Sequence, residues 1–413
     1  MPWQIYITLI GLILLIDLYV FQGVKTLIRS LQRRTRRIIN GLFWGISIYF
    51  ILAFSFYKLA GPSMISSGVQ RWTAVFFFII YVSKLPTMLF LLADDFIRLV
   101  KWLMHRQVAK RSQSESKQIS RSQFLAKISM ITATVPVATL GFGIVSGAYD
   151  YRLRKKNVII KNLPKAFDGI RIGQLSDIHS GSFFNKTAVQ KGIDMMQNEK
   201  PDIFVFTGDL VNNETSEVKE YKSMFGKLHA PLGAFSTTGN HDYGDYRRWP
   251  SVAAKKKNFE DLKLVHKEMG WDLLMNEHRI LKVDGDELAI LGIENWGTGR
   301  FSKYGNLAKA YLHTDEIPAK VLLSHDPSHW DAQVRPSYPN IDLTLAGHTH
   351  GFQFGIEIGN FKWSPSQYAY TQWADLYQEG DQQLYVNRGF GFIGYPGRVG
   401  ILPEVTILEL VRA

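Results

Sequence analysis

The chain of 413 residues contains no cysteine. That excludes disulfides, thiolate metal sites and a cysteine nucleophile, and it leaves the redox compartment open. Histidine is nearly missing from the first 165 residues, which hold one of the eleven. Acidic residues are scarce there too: 5 Asp and Glu stand against 23 Lys and Arg, whereas residues 166–413 hold 31 against 25. The formal net charge of +12 therefore belongs to the N-terminal part. A nucleic-acid-binding domain is itself basic. The part that carries the histidines is mildly acidic, so no nucleic-acid partner is expected.

What the N-terminal part has instead is apolar length. Four runs, about Trp3–Phe21, Gly41–Leu59, Trp72–Ala93 and Ile128–Ala148, can each cross ~30 Å of hydrocarbon at ~1.5 Å per residue. Residues 1–150 are expected to be a membrane anchor with four transmembrane helices. Lys25, Arg29, Arg33, Arg34, Arg36 and Arg37 lie between the first two runs, and a second basic loop runs from Arg98 to Arg121. Basic loops stay cytoplasmic, which places the chain after the fourth run on the exoplasmic side. The cluster Arg152, Arg154, Lys155 and Lys156 argues the other way. Asp17 and Lys84 fall inside runs, roughly 21 Å and roughly 18 Å along them, and are expected to pair. Lys110–Ser122 reads as a linker. Ser120–Leu125 resembles a twin-arginine export signal with its second arginine replaced by Ser122. Ser146-Gly147-Ala148 has the composition of a signal-peptidase site, and an uncleaved anchor is the reading preferred.

From 151 to 413 short β-branched runs alternate with helical periodicity. Strands are expected at Asn157–Lys161, Ile170–Leu175, Asp202–Phe206, Gly233–Thr237, Glu287–Ile293, Lys320–Leu323, Ile341–Leu345, Gln383–Val386 and Val405–Leu410. Helices are expected at Thr187–Gln197 and Asn258–Met269. This alternation indicates an α/β or α+β layered domain.

The polar residues gather where strands stop. In order, the expected strands end at Ser176-Asp177-Ile178-His179, Thr207-Gly208-Asp209, Thr238-Gly239-Asn240-His241-Asp242, Ser324-His325-Asp326 and Gly347-His348-Thr349-His350. Ligands bind outside the carboxyl ends of strands in open α/β sheets, so these side chains are expected to converge. Extended backbone through Thr349 would aim His348 and His350 at one point. Each motif alone has a bland reading as a polar turn. Five in this order, each after an apolar strand, are a strong signal of one site.

That pattern, Asp-x-His, Gly-Asp, Gly-Asn-His-Asp, His and Gly-His-x-His, resembles the binuclear metallophosphoesterases, the superfamily of the calcineurin-like phosphatases. The resemblance covers about Asn157 to the C-terminus. Lys161–Gly169 and Pro403-Glu404-Val405 look like the membrane-tethered branch, some members of which cleave phosphodiester or pyrophosphate bonds of lipid precursors. It implies a metallophosphoesterase-type β-sandwich of two sheets flanked by helices. It also implies two divalent metal ions (Mn, Fe or Zn): Asp177, His179 and His350 on one, Asn240, His325 and His348 on the other, and Asp209 bridging. A hydroxide between the metals would attack phosphorus, His241 would serve the leaving oxygen as general acid, and Asp242 would orient His241. His325 is preferred over His329 because it follows its strand directly. Phe352 stands where the family often has glycine. Arg388 and Arg398, in the Gly-rich stretch Asn387–Gly400, read as solvated loop arginines, with phosphate contact as the alternative.

The expected function is that of a membrane-anchored, metal-dependent phosphoesterase. Its substrate would be a phosphomonoester or phosphodiester, and the anchor and the branch resemblance point to a lipid-linked one. The competing reading is a sensor or transporter whose metal-binding domain is not catalytic.

Overall fold

The computed structural model describes residues 3–61, 64–105, 121–359 and 361–413. They form two compact units, Met1–Gly141 and Phe142–Ala413. Most of the Lys110–Ser122 stretch lies outside the described residues, as does Ser120 of the export-signal resemblance.

The first unit contains α1 (Trp3–Ile28), α2 (Arg33–Leu59), α3 (Ser67–His105) and most of α4 (Arg121–Val145). All four helices are long and apolar enough to cross a membrane. They outrun the apolar stretches because basic residues continue the helices at their ends: α2 starts at Arg33, and α1 runs past Lys25. Long basic side chains can bury their stems there and keep their charge in water. Lys84 on α3 donates to Asp17 on α1 at 2.5 Å, and the hydroxyl of Tyr81 donates to the other Asp17 oxygen at 2.8 Å. Asp17 is fully buried.

The second unit begins with the last turn of α4. Residues Gly147–Tyr149 form a single turn in which Gly147 and Ala148 are buried while Ser146 before it is exposed, so two of the three residues of Ser146-Gly147-Ala148 are packed into the folded unit. Strands β1 (Arg152–Ile160), β2 (Arg171–Leu175), β3 (Ile203–Thr207), β4 (Ala234–Thr237) and β5 (Asp272–Leu273) join with the C-terminal β14 (Glu404–Arg412) in one six-stranded sheet. Its order is β1-β14-β2-β3-β4-β5. The second sheet is built from β6 (Glu277–Val283), β7 (Asp286–Gly292), β8 (Lys320–Leu323), β9 (Leu343–Ala346), β12 (Asp375–Glu379) and β13 (Gln382–Val386), in the order β12-β13-β9-β8-β7-β6. A separate hairpin consists of β10 (Ile356–Ile358) and β11 (Phe361–Trp363).

Alternation along the strands builds the layers. Ile203 and Val205 of β3 meet Val321, Leu323, Leu343 and Leu345 of the other sheet in one buried cluster. Phe204 and Phe206, pointing the other way, pack with Val189, Ile193 and Met196 of α5 (Lys186–Asn198) and Leu262 from the helix Val252–Glu268. The result is the sandwich of two sheets with flanking helices. The helix Val252–Glu268 starts earlier than its apolar periodicity suggests, because Ser251 accepts a hydrogen bond from the Ala254 amide and caps it there.

His266 on this helix is buried beside Phe206 and Trp271, with Nδ1 2.9 Å from Ser236 Oγ. Burial pushes its imidazole down to about 3. The unfolded chain takes up this proton near pH ~6.5. The contribution of neutral His266 to stability is therefore complete above that pH and is lost as pH falls towards 3, by up to about 1.4 kcal/mol per unit. His266→Gln is expected to flatten the acid limb of the unfolding midpoint measured against pH on the full-length protein in detergent. Parallel acid limbs for variant and wild type would refute it.

Candidate metal centre

In the first sheet β2, β3 and β4 are adjacent and parallel, and in the second so are β8 and β9. The carboxyl ends of each set therefore share one edge. The two edges are tied together by direct hydrogen bonds. Gln174 donates to the Ala346 carbonyl at 3.0 Å, and His325 Nδ1–H donates to the Thr207 carbonyl at 2.7 Å.

The residues at these ends fall into two groups, Asp177, His179 and His350, and Asp209, His325 and His348, with the ligand-capable atoms of each group within 4.8 Å of one another. His350 Nε2 lies 3.0 Å from His179 Nε2 and 3.2 Å from Asp177 Oδ1. His348 Nδ1 lies 3.2 Å from His325 Nε2. One atom, Asp209 Oδ2, reaches both groups, at 3.5 Å from His179 Nε2 and 3.2 Å from His325 Nε2.

Asn240 is buried beside them. Its amide donates to the Tyr246 hydroxyl at 2.8 Å, and its Oδ1 has no hydrogen-bond partner. A buried acceptor without a donor is costly, and a cation would satisfy it. The donor set of carboxylate, amide oxygen and imidazole fits Mn, Fe or Zn without choosing among them.

The backbone here is not extended. Strand β9 stops at Ala346, and His348 and His350 have φ of 70° and 50°. Asp177, His179 and Asp209 also have positive φ, at 52°, 48° and 62°. Left-handed backbone, not β alternation, aims five of these side chains, at a cost of roughly 1–3 kcal/mol each. The expectation that an extended Thr349 sets the two histidines is corrected accordingly. Gly239 and Gly347 are needed for close approach: a Cβ on Gly239 would run into the Asp209 carboxylate, and one on Gly347 into Ser176 and Asp177.

Electrostatics follow from burial. Burial alone would raise the carboxyls of Asp177 and Asp209. The imidazoles opposite, His350 for the first and His325 for the second, outweigh it and hold both well below the usual carboxylate range. Burial would lower His325, but the Asp209 carboxylate prevails and raises it to about 10. Burial keeps His179 neutral, with its value well below that of a free imidazole.

His241 sits at the half-exposed mouth of the site, its ring 5.0 Å from that of His179. Its Nδ1–H donates to the Asn212 carbonyl at 2.8 Å, which leaves Nε2 as the proton-exchanging atom. The expected partnership with Asp242 is not there. Asp242 accepts instead from the backbone amides of Asp209, Leu210, Val211 and Gly239, at 2.8–3.3 Å, and so fixes the loop that carries Asp209. His329 has both nitrogens engaged, with Ser324 and Gln333, each at 2.9 Å, which leaves His325 as the ring facing Asp209.

The two tail arginines are buried, not solvated. Arg388 pairs with Glu404 at 2.8 Å and with Glu357 and Asp375 at 3.2 Å. Arg398 donates to the Gly391 carbonyl at 2.6 Å and lies 3.2 Å from His350 Nδ1. Phe352 is exposed and, like Gln353, has positive φ. Asn212, Tyr246 and Tyr370, whose hydroxyl is 2.7 Å from His348 Nε2, carry no motif that would single them out in sequence. Asp326, 3.7 Å from His348 Nε2, sits beside His325 in the strand-end run.

Residues 1–148 match the family model described as "Probable Calcineurin-like phosphoesterase, transmembrane domain", and residues 170–352 match "Calcineurin-like phosphoesterase". A "Transmembrane protein with metallophosphoesterase domain" of Danio rerio is 28% identical over 318 residues, covering 74% of this chain and 68% of that protein. An uncharacterized metallophosphoesterase of Bacillus subtilis is 29% identical over 301 residues, covering 71% and 98%. A UDP-2,3-diacylglucosamine pyrophosphatase of Chlamydia trachomatis is 28% identical over 277 residues, covering 56% and 81%.

Proposed function

The chain belongs to the calcineurin-like phosphoesterases, in the branch that carries a transmembrane domain, and we propose that it hydrolyses a lipid-linked phosphomonoester or phosphodiester. The observation that carries this reading is Asp209 Oδ2, one oxygen within reach of both ligand groups. Asp177, His179 and His350 would hold one divalent cation, Asn240, His325 and His348 the other, with Asp209 between them. Bound cations supply Lewis-acid charge at the phosphoryl oxygens and acidify water.

The protein's own groups do the rest. Water adds to phosphorus, releasing a proton to solvent, as the bond to the leaving oxygen breaks. His241, carrying its proton on Nε2, gives it to that oxygen as general acid. The Asn212 carbonyl holds the ring in the tautomer and orientation this needs. Asp242 acts at one remove, by holding the Asp209 loop against Gly239.

A lipid-linked substrate is supported by the apolar anchor and by the relative whose name specifies a diacylglucosamine pyrophosphatase. The anchor is taken as residues 1–150 and the catalytic domain as 151–413. The exoplasmic side is proposed for the latter from the basic loops. In the opposing cluster Arg154 is mostly covered and pairs with Glu357, whereas Lys155, paired with Glu199, and Lys156, near Asp375, remain partly exposed. Because the chain has no cysteine, Asp284→Cys supplies a single thiol in an exposed turn. An impermeant maleimide is expected to label it in intact cells, and labelling only after lysis would reverse the orientation.

The test of the chemistry is purified full-length protein and a generic aryl phosphate ester. Chelation is expected to remove two metals per chain and the activity together, and a divalent ion to restore it. Undiminished hydrolysis by the stripped protein would overturn the reading.

A further inference from the structure

The hairpin β10–β11 is turned inside out. Its register pairs Ile356 with Trp363, Glu357 with Lys362 and Ile358 with Phe361. Alternation puts the middle pair on one face and the outer pairs on the other. A surface hairpin normally hides its apolar face. Here the charged pair faces inward: Glu357 bonds to Arg154 and Arg388, and Lys362 donates to the Ala374 carbonyl at 2.6 Å. The apolar residues face out, with Ile358 73% and Phe361 61% exposed. Phe352 and Tyr368, which precede and follow the hairpin in sequence, are 65% and 78% exposed. Contiguous exposed apolar residues on a folded domain mark a contact surface.

The same unit says what covers it. The last turn of α4 packs against the loop Tyr395–Val399. A Cβ at Gly143 would lie 2.6 Å from the Tyr395 hydroxyl, and the Arg398 amide donates to the Gly143 carbonyl at 3.1 Å. Val399 of that loop bridges to Phe354, donating to the Gln353 carbonyl at 2.8 Å and accepting from the Gly355 amide at 2.9 Å. One short loop thus links the end of a membrane-length helix to the base of the hairpin. Phe142 and Val145, on the last turn of that helix, are themselves exposed.

We propose that the outer face of the β10–β11 hairpin, with Phe352, sits in the surface of the bilayer that α4 spans. Aromatic and aliphatic side chains are favoured at this depth. Phe352 follows His350 by two residues. The proposal rests on α4 being a membrane helix and is independent of the hydrolytic chemistry.

The test uses Ile358→Cys, and Phe361→Cys as a second position should the first fail to fold, in full-length protein in phosphatidylcholine–phosphatidylglycerol nanodiscs. Each thiol carries an environment-sensitive fluorophore. Asp284→Cys, between β6 and β7, is the water-exposed comparison. The hairpin probe is expected to emit to the blue of the comparison and to be quenched more by nitroxide-labelled lipid than by aqueous iodide. Iodide quenching equal to that of the comparison would overturn the proposal. So would shielding from both quenchers with copy-to-copy cross-linking through the introduced thiol, which would identify the face as a dimer contact.

Discussion

Asp209→Asn is expected to abolish hydrolysis while leaving the fold in place. Asparagine tolerates the left-handed backbone that Asp209 adopts at φ 62°. Its amide oxygen can still accept from the His241 amide, as Asp209 Oδ1 does at 2.8 Å. What is lost is the charge. Two cations held close together repel each other, and an anionic oxygen common to both groups offsets that repulsion; a neutral amide offsets much less. The loss in kcat/KM should therefore exceed the ~10–100-fold typical of removing an outer partner of a metal ligand, and reach roughly 10³-fold or more. Bound metal should fall below two per chain with the unfolding midpoint of the stripped protein unchanged. Activity within tenfold of wild type would mean that Asp209 does not join the two groups.

The contrast with Asp242 sharpens this expectation. Asp242 is as buried as Asp209, but its oxygens are taken up by four backbone amides. Its role is to hold the loop, and nothing in the run Gly239-Asn240-His241-Asp242 distinguishes that role from orienting His241. Sequence places a residue near a site. The orienting group was the main-chain carbonyl of Asn212, which no side-chain motif can announce.

The same reasoning separates what was legible in the fold from what was not. Interior strands such as β3, β8 and β9 are buried on both faces and read as apolar runs. The strands missed outright in the two main sheets, β5, β6 and β12, all lie at sheet edges, and β1, a fourth edge, was read too short. An edge strand pairs on one side only and carries more polar sequence: β6 reads Glu-His-Arg-Ile-Leu-Lys-Val and β12 reads Asp-Leu-Tyr-Gln-Glu. The ligand residues were legible because each follows an interior strand. The buried state of Arg388 was not, because its partners Glu357, Asp375 and Glu404 come from three separate segments. Its guanidinium is consumed by partners that only the folded chain brings together.

The other large effect is expected in the first unit. Lys84→Met strips the Asp17 carboxylate of its cation in a bundle where it is fully buried, leaving it, among the described residues, the Tyr81 hydroxyl. Breaking a buried ion pair from one side costs about 3–5 kcal/mol, whereas replacing both partners is often near neutral. Asp17→Asn should cost less than Lys84→Met. The amide oxygen still accepts from Tyr81, and the Lys84 ammonium keeps the faces of Tyr81 at 4.0 Å and Phe43 at 5.2 Å. Combining the two changes should recover most of the loss, giving a strongly non-additive cycle. Unfolding of the full-length protein in mixed micelles measures all three variants. Additive losses would mean that the two charges are held independently. Neutral single variants would mean that water reaches Asp17 as the bundle relaxes, since a charge at membrane depth persists only beside a partner or a wet cavity.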